Sequence, residues 1–253
     1  MNSRKRIEAA VNHRQPDRVP LDLGATPVSG MQVSSVYLLR QAMGLDEPDT
    51  PVKVVEPYQM LGEIKPDLLD ALGIDAVGLS GPRDFFGCRH ADWKPWTTFD
   101  GTPILVPADL NTDPDADGDI PAYPEGDQSV PPSARMPKGG YYFDTIERQA
   151  PIDDDNLNVE DNLEEFGPID DATLEYFATE ARRLNQQSDR AIVANFGGTA
   201  FGDIALVPAT WLKNPKGIRG VEEWYISTVT RFDYVYELFT RQCEIALGNL
   251  AKL

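Results

Sequence analysis

Apolar residues recur with a period near 3.6 residues in the first third of the chain, and short apolar runs separate these stretches. The period predicts helices at about Ser3–His13, Gln32–Met43 and Gln59–Leu72. The runs Arg18–Gly24 and Ile74–Leu79 are typical of buried strands. Helices that alternate with buried strands favour an α/β fold built around a parallel sheet.

The alternation stops between about residues 93 and 166, where prolines and acidic residues are frequent and no long amphipathic helix is indicated. We interpret this stretch as an insertion rich in loops and hairpins. Within it, Thr102–Pro107 and Asp119–Tyr123 are predicted to pair across Asp117-Gly118, because this dipeptide accepts the positive φ angles of a tight turn.

Regular patterns return after the insertion. Asp170 and Asp171 are suited to cap a helix that continues through Leu184. Ala191–Phe196 is the clearest buried strand of the sequence, and two helices are predicted near the end of the chain, at Val221–Val229 and Phe232–Leu250. The parallel strands number only three, near Val19, Ile74 and Ile192.

The net charge of −18 arises from 41 acidic and 23 basic residues, but it is unevenly distributed. Asp109–Asp127 holds seven acids and Asp153–Asp171 holds nine, and neither segment contains a base. Without a clustered basic face, the chain is not expected to bind nucleic acid or an anionic membrane. The absence of a signal-peptide pattern at the start, together with only two cysteines, predicts a cytoplasmic protein.

Asp113–Ile120 matches the first eight positions of a calcium-binding loop, with acids at positions one, three and five and glycine at six. The match fails at position twelve, which is Pro124. A solvated hairpin turn is therefore the better interpretation of this segment.

Gly197-Gly198-Thr199-Ala200-Phe201-Gly202-Asp203 directly follows the strand at Ala191–Phe196. In parallel α/β proteins the loops after the carboxyl ends of strands bind ligands, and glycine lets the backbone approach them closely. A tight turn in which the glycines serve geometry alone is the equally weighted alternative.

Two further places offer chemistry. Asp22 lies at the end of the predicted strand Arg18–Gly24, where a carboxylate either acts in a reaction or caps the next turn. Cys88 and His90 could ligate a metal, but nothing else nearby is a soft ligand, so no metal site is assigned.

Several segments, in order along the chain, resemble the uroporphyrinogen decarboxylase superfamily. They are Ser3–Ala10, Pro16–Pro20, Trp93–Pro103, Met136–Tyr141 and Asn195–Thr199. The last three are similar to a branch described as decarboxylase-like or methyltransferase-like. The resemblance implies an incomplete TIM (β/α)8-type barrel, with residues 1–253 as the N-terminal portion of one barrel domain and the insertion at about 93–166.

The resemblance also implies one of two tetrapyrrole-linked reactions. In the decarboxylases an arginine-bearing segment after the first strand clamps the substrate's carboxylates, whereas here Gly24–Gly30 contains no arginine. Zinc-assisted methyl transfer between a corrinoid and a thiol is therefore placed ahead of uroporphyrinogen III decarboxylation. The family's zinc ligands lie in the second half of the barrel, so this chain alone is expected to bind no cofactor.

The residues expected at the mouth of the barrel fall into two groups. The predicted catalytic residues are Asp22, Asp84 and Asp203, and the predicted substrate-binding residues are Asn195, Gly197 and Gly198. The expected partners are a small-molecule or tetrapyrrole substrate, a corrinoid protein and a second copy in a homodimer. Because three strands do not close a barrel, we expect an N-terminal fragment of an enzyme that is inactive alone. The alternative from another class is a noncatalytic assembly protein that docks a partner on its acidic insertion.

Overall fold

The computed structural model describes residues 1–196 and 207–253, and within these ranges the chain has a mixed α/β fold. The helices are α1 (Ser3–Val11), α2 (Val33–Ala42), α3 (Pro66–Leu72), α4 (Asp171–Gln187), α5 (Val221–Thr230) and α6 (Phe232–Leu250). The strands are β1 (Val52–Glu56), β2 (Leu61–Gly62), β3 (Ala76–Leu79), β4 (Trp93–Thr97), β5 (Pro103–Pro107), β6 (Ile120–Ala122), β7 (Ala134–Met136), β8 (Asp144–Thr145) and β9 (Ala191–Ala194). Short 3-10 turns lie at Pro27–Ser29, Pro124–Gly126 and Val159–Asn162.

The described strands form three separate sheets. The largest has the order β2-β1-β5-β4, in which β1 and β5 run parallel and the other pairs are antiparallel. Strands β6, β7 and β8 form an antiparallel sheet, and β3 pairs with β9 in parallel. Nothing in residues 1–196 and 207–253 closes into a barrel, and no helix there is both long and apolar enough to cross a membrane.

The first hydrophobic core contains residues from before and after position 93, where the predicted insertion begins. Val52 and Val54 alternate inward along β1, and Ile104 and Val106 do the same along the neighbouring β5. Val36 of α2 packs into the same core. The strand period of two residues therefore buries one face of this sheet under α2.

A second core lies between the residues that precede α4 and the last two helices. It contains Val159, Ile218, Trp224 and Leu238. The buried Asn162 accepts a hydrogen bond from the Ile218 amide at 2.7 Å and donates one to the Ile218 carbonyl at 2.9 Å. This side chain thus satisfies the backbone of a segment 56 residues away.

The predicted strand at Arg18–Gly24 is wrong. The Asp75 amide donates to the Leu21 carbonyl at 2.8 Å, but the Leu21 amide donates to the Asp75 carboxylate at 2.9 Å rather than to a strand backbone. Val19 is 76% exposed. The segment runs beside β3 as an irregular chain because a side chain takes the place of the backbone ladder.

The predicted hairpin between Thr102–Pro107 and Asp119–Tyr123 is also wrong. Strand β5 pairs with β4 and β1, whereas β6 pairs with β7. The central position of β5 follows from its burial, since Ile104 and Val106 are both inaccessible to solvent. The predicted helix Gln59–Leu72 forms only as α3, because Leu61–Gly62 pairs with β1 and Pro66 is suited to the first helical turn.

Among the described residues, half of the sixteen acids in the two acidic segments form ion pairs within the molecule. In the first acidic segment Glu125 pairs with Arg83 at 3.1 Å, and Asp127 pairs with Lys213 at 2.8 Å. In the second, Glu165 pairs with the buried Arg219 at 2.8 Å. The acidic segments therefore bind the chain to itself.

The calcium-like segment Asp113–Ile120 forms a turn. The Asp115 carboxylate accepts hydrogen bonds from the amides of Asp117 and Asp119, each at 3.0 Å, and Gly118 takes a φ of 88°. Asp119 pairs with Arg135 at 3.1 Å. The carboxylates thus serve turn geometry and a cross-strand ion pair. The predicted turn is present, but it does not join two paired strands, because β6 pairs with β7.

Candidate active site at the carboxyl edge of the parallel strand pair

The parallel pair of β3 and β9 brings two predicted site residues to one edge of the molecule. The strands pair from Ala76 with Ala191 to Leu79 with Ala194, and the Asn195 amide donates to the Leu79 carbonyl at 2.8 Å. Both strands therefore end at the same edge. Asn195 lies immediately beyond β9, and the loop that carries Asp84 follows β3.

Asp84 organises its own loop with one carboxylate oxygen. Its Oδ1 accepts hydrogen bonds from the Phe86 amide at 2.8 Å and from the Cys88 amide at 3.0 Å. The Asp84 amide donates to the Cys88 carbonyl at 2.9 Å, and Gly87 completes the tight turn with a φ of 80°. The other oxygen, Oδ2, is shielded from solvent and has no hydrogen-bond partner.

The surroundings of Asp84 oppose its ionisation. Burial raises the pKa of this carboxyl to about 7, although the two backbone amides favour the charged form. The nearby carboxylates of Glu56 and Asp109 raise the pKa further. Asp84 thus titrates near neutral pH, where a carboxyl group can both donate and accept a proton.

Glu56 is a second carboxyl of the site that the sequence did not indicate. It ends β1, and its two oxygens accept hydrogen bonds from the amides of Tyr58 at 2.9 Å and Gln59 at 2.8 Å. Burial raises its pKa as well. The sequence patterns did not predict β1, and Glu56 was therefore not recognised as the last residue of a strand.

Residues 207–213 pack against the Asp84 loop. The Thr210 hydroxyl donates to the Phe85 carbonyl at 2.5 Å, and the Trp211 ring meets the Phe85 ring edge-on at 5.7 Å. Arg148 anchors this segment by donating to the carbonyls of Ala209 and Leu212, each at 2.6 Å. The loop is therefore tied to a part of the chain about 120 residues away.

Arg148 is held without a carboxylate partner among the described residues. Its guanidinium donates to main-chain carbonyls, while its Nε is buried without a partner. Burial and the charge of Arg219 together lower the pKa of Arg148 to about 10. Because a half-buried cation without a carboxylate partner is costly, the packing of residues 207–213 depends on the contacts of Arg148 with the carbonyls of Ala209 and Leu212.

Four predicted site residues remain, and Asp22 is the one of them that the structure describes. Asp22 is exposed, and its Oδ1 accepts a hydrogen bond from the Ala25 amide at 3.2 Å. This is the turn-capping geometry that was its alternative interpretation, and its catalytic role stays a prediction. Gly197, Gly198 and Asp203 lie outside the described residues.

The comparisons with known proteins assign no function to this site. No model of a protein family matches this chain, and neither curated proteins nor solved structures gave a match. The resemblance to the uroporphyrinogen decarboxylase superfamily therefore rests on its sequence motifs alone.

The described residues do not fit the zinc centre that the resemblance implies. Cys88 is buried, and burial raises the pKa of its thiol, which opposes the thiolate that zinc requires. His90 stacks on Trp93 with ring centroids 5.9 Å apart, and burial lowers its pKa. Across residues 1–196 and 207–253, no group of three or more His, Cys, Asp or Glu side chains could hold a metal ion.

Proposed function

We propose that this chain belongs to a cytoplasmic enzyme of tetrapyrrole-linked chemistry, and that its reaction site is the carboxyl edge of β3 and β9. In this proposal the two strands belong to an incomplete (β/α)8-type barrel that carries the insertion at 93–166. The observation that supports it best is the unpartnered, shielded Oδ2 of Asp84 in the loop after β3. Active sites of parallel α/β enzymes lie at this end of their strands.

Asp84 would act as a proton donor. Its Oδ1 is engaged with two backbone amides, so the proton of the neutral carboxyl resides on Oδ2, the oxygen without a partner. Shielding of the carboxyl from water favours this neutral, protonated form. Because Oδ2 is covered in this structure, the proposal requires that the cover opens to admit substrate.

The reaction that needs such a donor is decarboxylation of an acetate side chain. The bond between the methylene carbon and the carboxylate breaks, carbon dioxide leaves, and the electron pair stays on carbon. That carbon takes the proton of Asp84 and becomes a methyl group. The resulting carboxylate of Asp84 regains a proton from water, so that atoms and charge balance over one turnover.

Methyl transfer between a corrinoid and a thiol, the first choice from the resemblance, stays a prediction without a supporting observation. Its zinc would need ligands other than the side chains that this chain places together, and we derive no step through it. The noncatalytic docking alternative is also not favoured. Half of the acids in the two segments that would attract a partner are already paired within the described parts of the molecule, as with Asp127 and Lys213.

The test compares Asp84→Asn with the matched variant Asp92→Asn, both made in the full-length gene product, in an assay of uroporphyrinogen III decarboxylation. Asparagine keeps the oxygen that accepts the two backbone hydrogen bonds but cannot deliver a proton. We expect Asp84→Asn to lose about a hundredfold or more in turnover, the usual contribution of a general acid. Asp92 is exposed in the same loop region, and its variant should retain turnover.

Two outcomes would contradict this function. Wild-type turnover in Asp84→Asn would show that Asp84 serves only the shape of its loop. No conversion of uroporphyrinogen III by the folded wild-type full-length gene product would reject the reaction itself. Methylation of a thiol from methylcobalamin, together with bound zinc in the purified protein, would instead favour methyl transfer.

A further inference from the structure

A second cavity, formed by none of the residues of the Asp84 site, lies between two hairpins of the insertion. Its volume is about 320 Å³, within the lower range of small-molecule sites. Trp96 of β4 and the residues that follow it form one wall, while Ile120 and Met136 through Tyr141 form the other. Met60 and Met136 are both buried and make the cavity's inner surface apolar.

Aromatic rings line the entrance of this cavity. Phe99 is 54% exposed and Tyr141 is 43% exposed. Their rings meet edge-on with centroids 4.4 Å apart, and Trp96 lines the same space. Aromatic side chains exposed to water around a concavity gain free energy when a flat apolar ligand covers them.

One cationic side chain lines this cavity. Lys138 is exposed, and it is the charged side chain among the described residues that line the cavity. Its ammonium forms no ion pair within the described parts of the chain, while its alkyl chain passes over Gly118. Asp119, an acid close to Lys138, is engaged by the Arg135 side chain and by the Lys138 amide.

We propose that this cavity binds a small flat aromatic carboxylate, with the ring between Trp96, Phe99 and Tyr141 and the carboxylate at Lys138. The apolar inner surface favours an aromatic ring, and the unpaired ammonium of Lys138 favours a negatively charged group. This binding site is separate from the proposed reaction and does not depend on it.

The experiment uses three probes that share one ring and differ in charge. Indole-3-acetate, indole-3-acetamide and tryptamine are titrated into the protein by calorimetry. We expect saturable binding with indole-3-acetate preferred about fivefold over the other two, the ratio that an exposed ion pair of up to about 1 kcal/mol supports. The preference should shrink at high salt because the contact is exposed to solvent.

Variants separate the charge from the ring contacts. Lys138→Met should remove the preference for the acid and leave the binding of the amide unchanged, whereas Tyr141→Ala should weaken all three probes. Lys94→Met is the matched control, since Lys94 lies on β4 but does not line the cavity. Preferred binding of tryptamine, an acid preference that survives Lys138→Met, or no binding of any probe would each overturn the proposal.

Discussion

Strand β3 lies between a fully buried aspartate before it and a half-buried aspartate in the loop after it, and the two are held in opposite ways. Asp75, just before the strand, is fully buried and contacts Arg6 at 2.5 Å and Arg18 at 2.7 Å. Asp84, in the loop after the strand, receives only backbone amides on one oxygen. One carboxyl has cationic partners and the other has none.

This difference determines the protonation of each group. Burial alone would raise the pKa of Asp75, but the Leu21 amide, the Ser3 hydroxyl and the two arginines lower it overall. Burial of Asp84 without a cation raises its pKa to about 7. The amino edge of the strand therefore holds a permanent charge that stabilises the fold, and the carboxyl edge holds a group that can exchange a proton near neutral pH.

The largest expected effect comes from Asp75→Asn. The variant leaves Arg6 with Asp17 as its remaining carboxylate and removes the carboxylate from Arg18. Breaking a buried ion pair typically costs about 3 to 5 kcal/mol. The lowered pKa of Asp75 means that its contribution is present above the unfolded pKa of about 3.9 and is lost as the pH falls through the folded value. Urea unfolding at pH 7 and below pH 3 measures the loss of stability and its dependence on pH.

Asp70→Asn is the control for this loss. Asp70 pairs with Arg190, but its side chain is 73% exposed, so its variant should cost less than about 1 kcal/mol. A loss of that small size for Asp75→Asn as well would remove the distinction between the two edges of the strand.

Asp84→Asn should show the opposite dependence on pH. Between about pH 4 and pH 7 the unfolded carboxyl is ionised while the folded one keeps its proton, so the wild type loses stability as the pH rises. A shift from about 3.9 to about 7 corresponds to roughly 4 kcal/mol at most. Asp84→Asn should gain stability relative to the wild type by this order between pH 4 and pH 8, as measured by urea unfolding. A constant difference across that range would contradict the raised pKa.

The smallest expected effect concerns the segment that covers the Asp84 loop. Thr210→Val removes the hydrogen bond to the Phe85 carbonyl and leaves that carbonyl without this donor, at a cost of about 1 kcal/mol. Thr228→Val is the control, because the Thr228 hydroxyl donates to a carbonyl of its own exposed helix. Equal stabilities of the two variants would show that the contact with Phe85 contributes little.

Local patterns predicted several elements well. Gly73 ends α3 in the left-handed conformation, and Asp170 caps α4 with a 2.7 Å hydrogen bond to the Thr173 amide, as the residue types indicated. The apolar runs at β3 and β9 were found because both are short and each follows a predicted helix. The prediction that β9 is buried is wrong, since its residues are half-buried or exposed. These features depend on residues within a few positions of one another.

The site was less accessible to sequence reasoning. Asp84 was named, but Glu56 was missed together with the strand that it ends. Strand β1 pairs with β5, whose residues lie about 50 positions later in the chain, and the pattern of Val52–Glu56 alone does not identify its partner. Strand pairing over such distances depends on which faces are buried, and this is decided by the packing of the whole core.

The acidic residues also show what the sequence determines and what depends on the tertiary structure. By itself the sequence determined that Asp109–Asp127 and Asp153–Asp171 hold most of the excess charge. Only the tertiary structure decided that Asp127 pairs with Lys213, that Glu165 pairs with Arg219, and that Asp84 forms no ion pair within residues 1–196 and 207–253. The free energy of a charge depends on its burial and on its neighbours in space, and for these side chains the neighbours are brought in by distant parts of the chain.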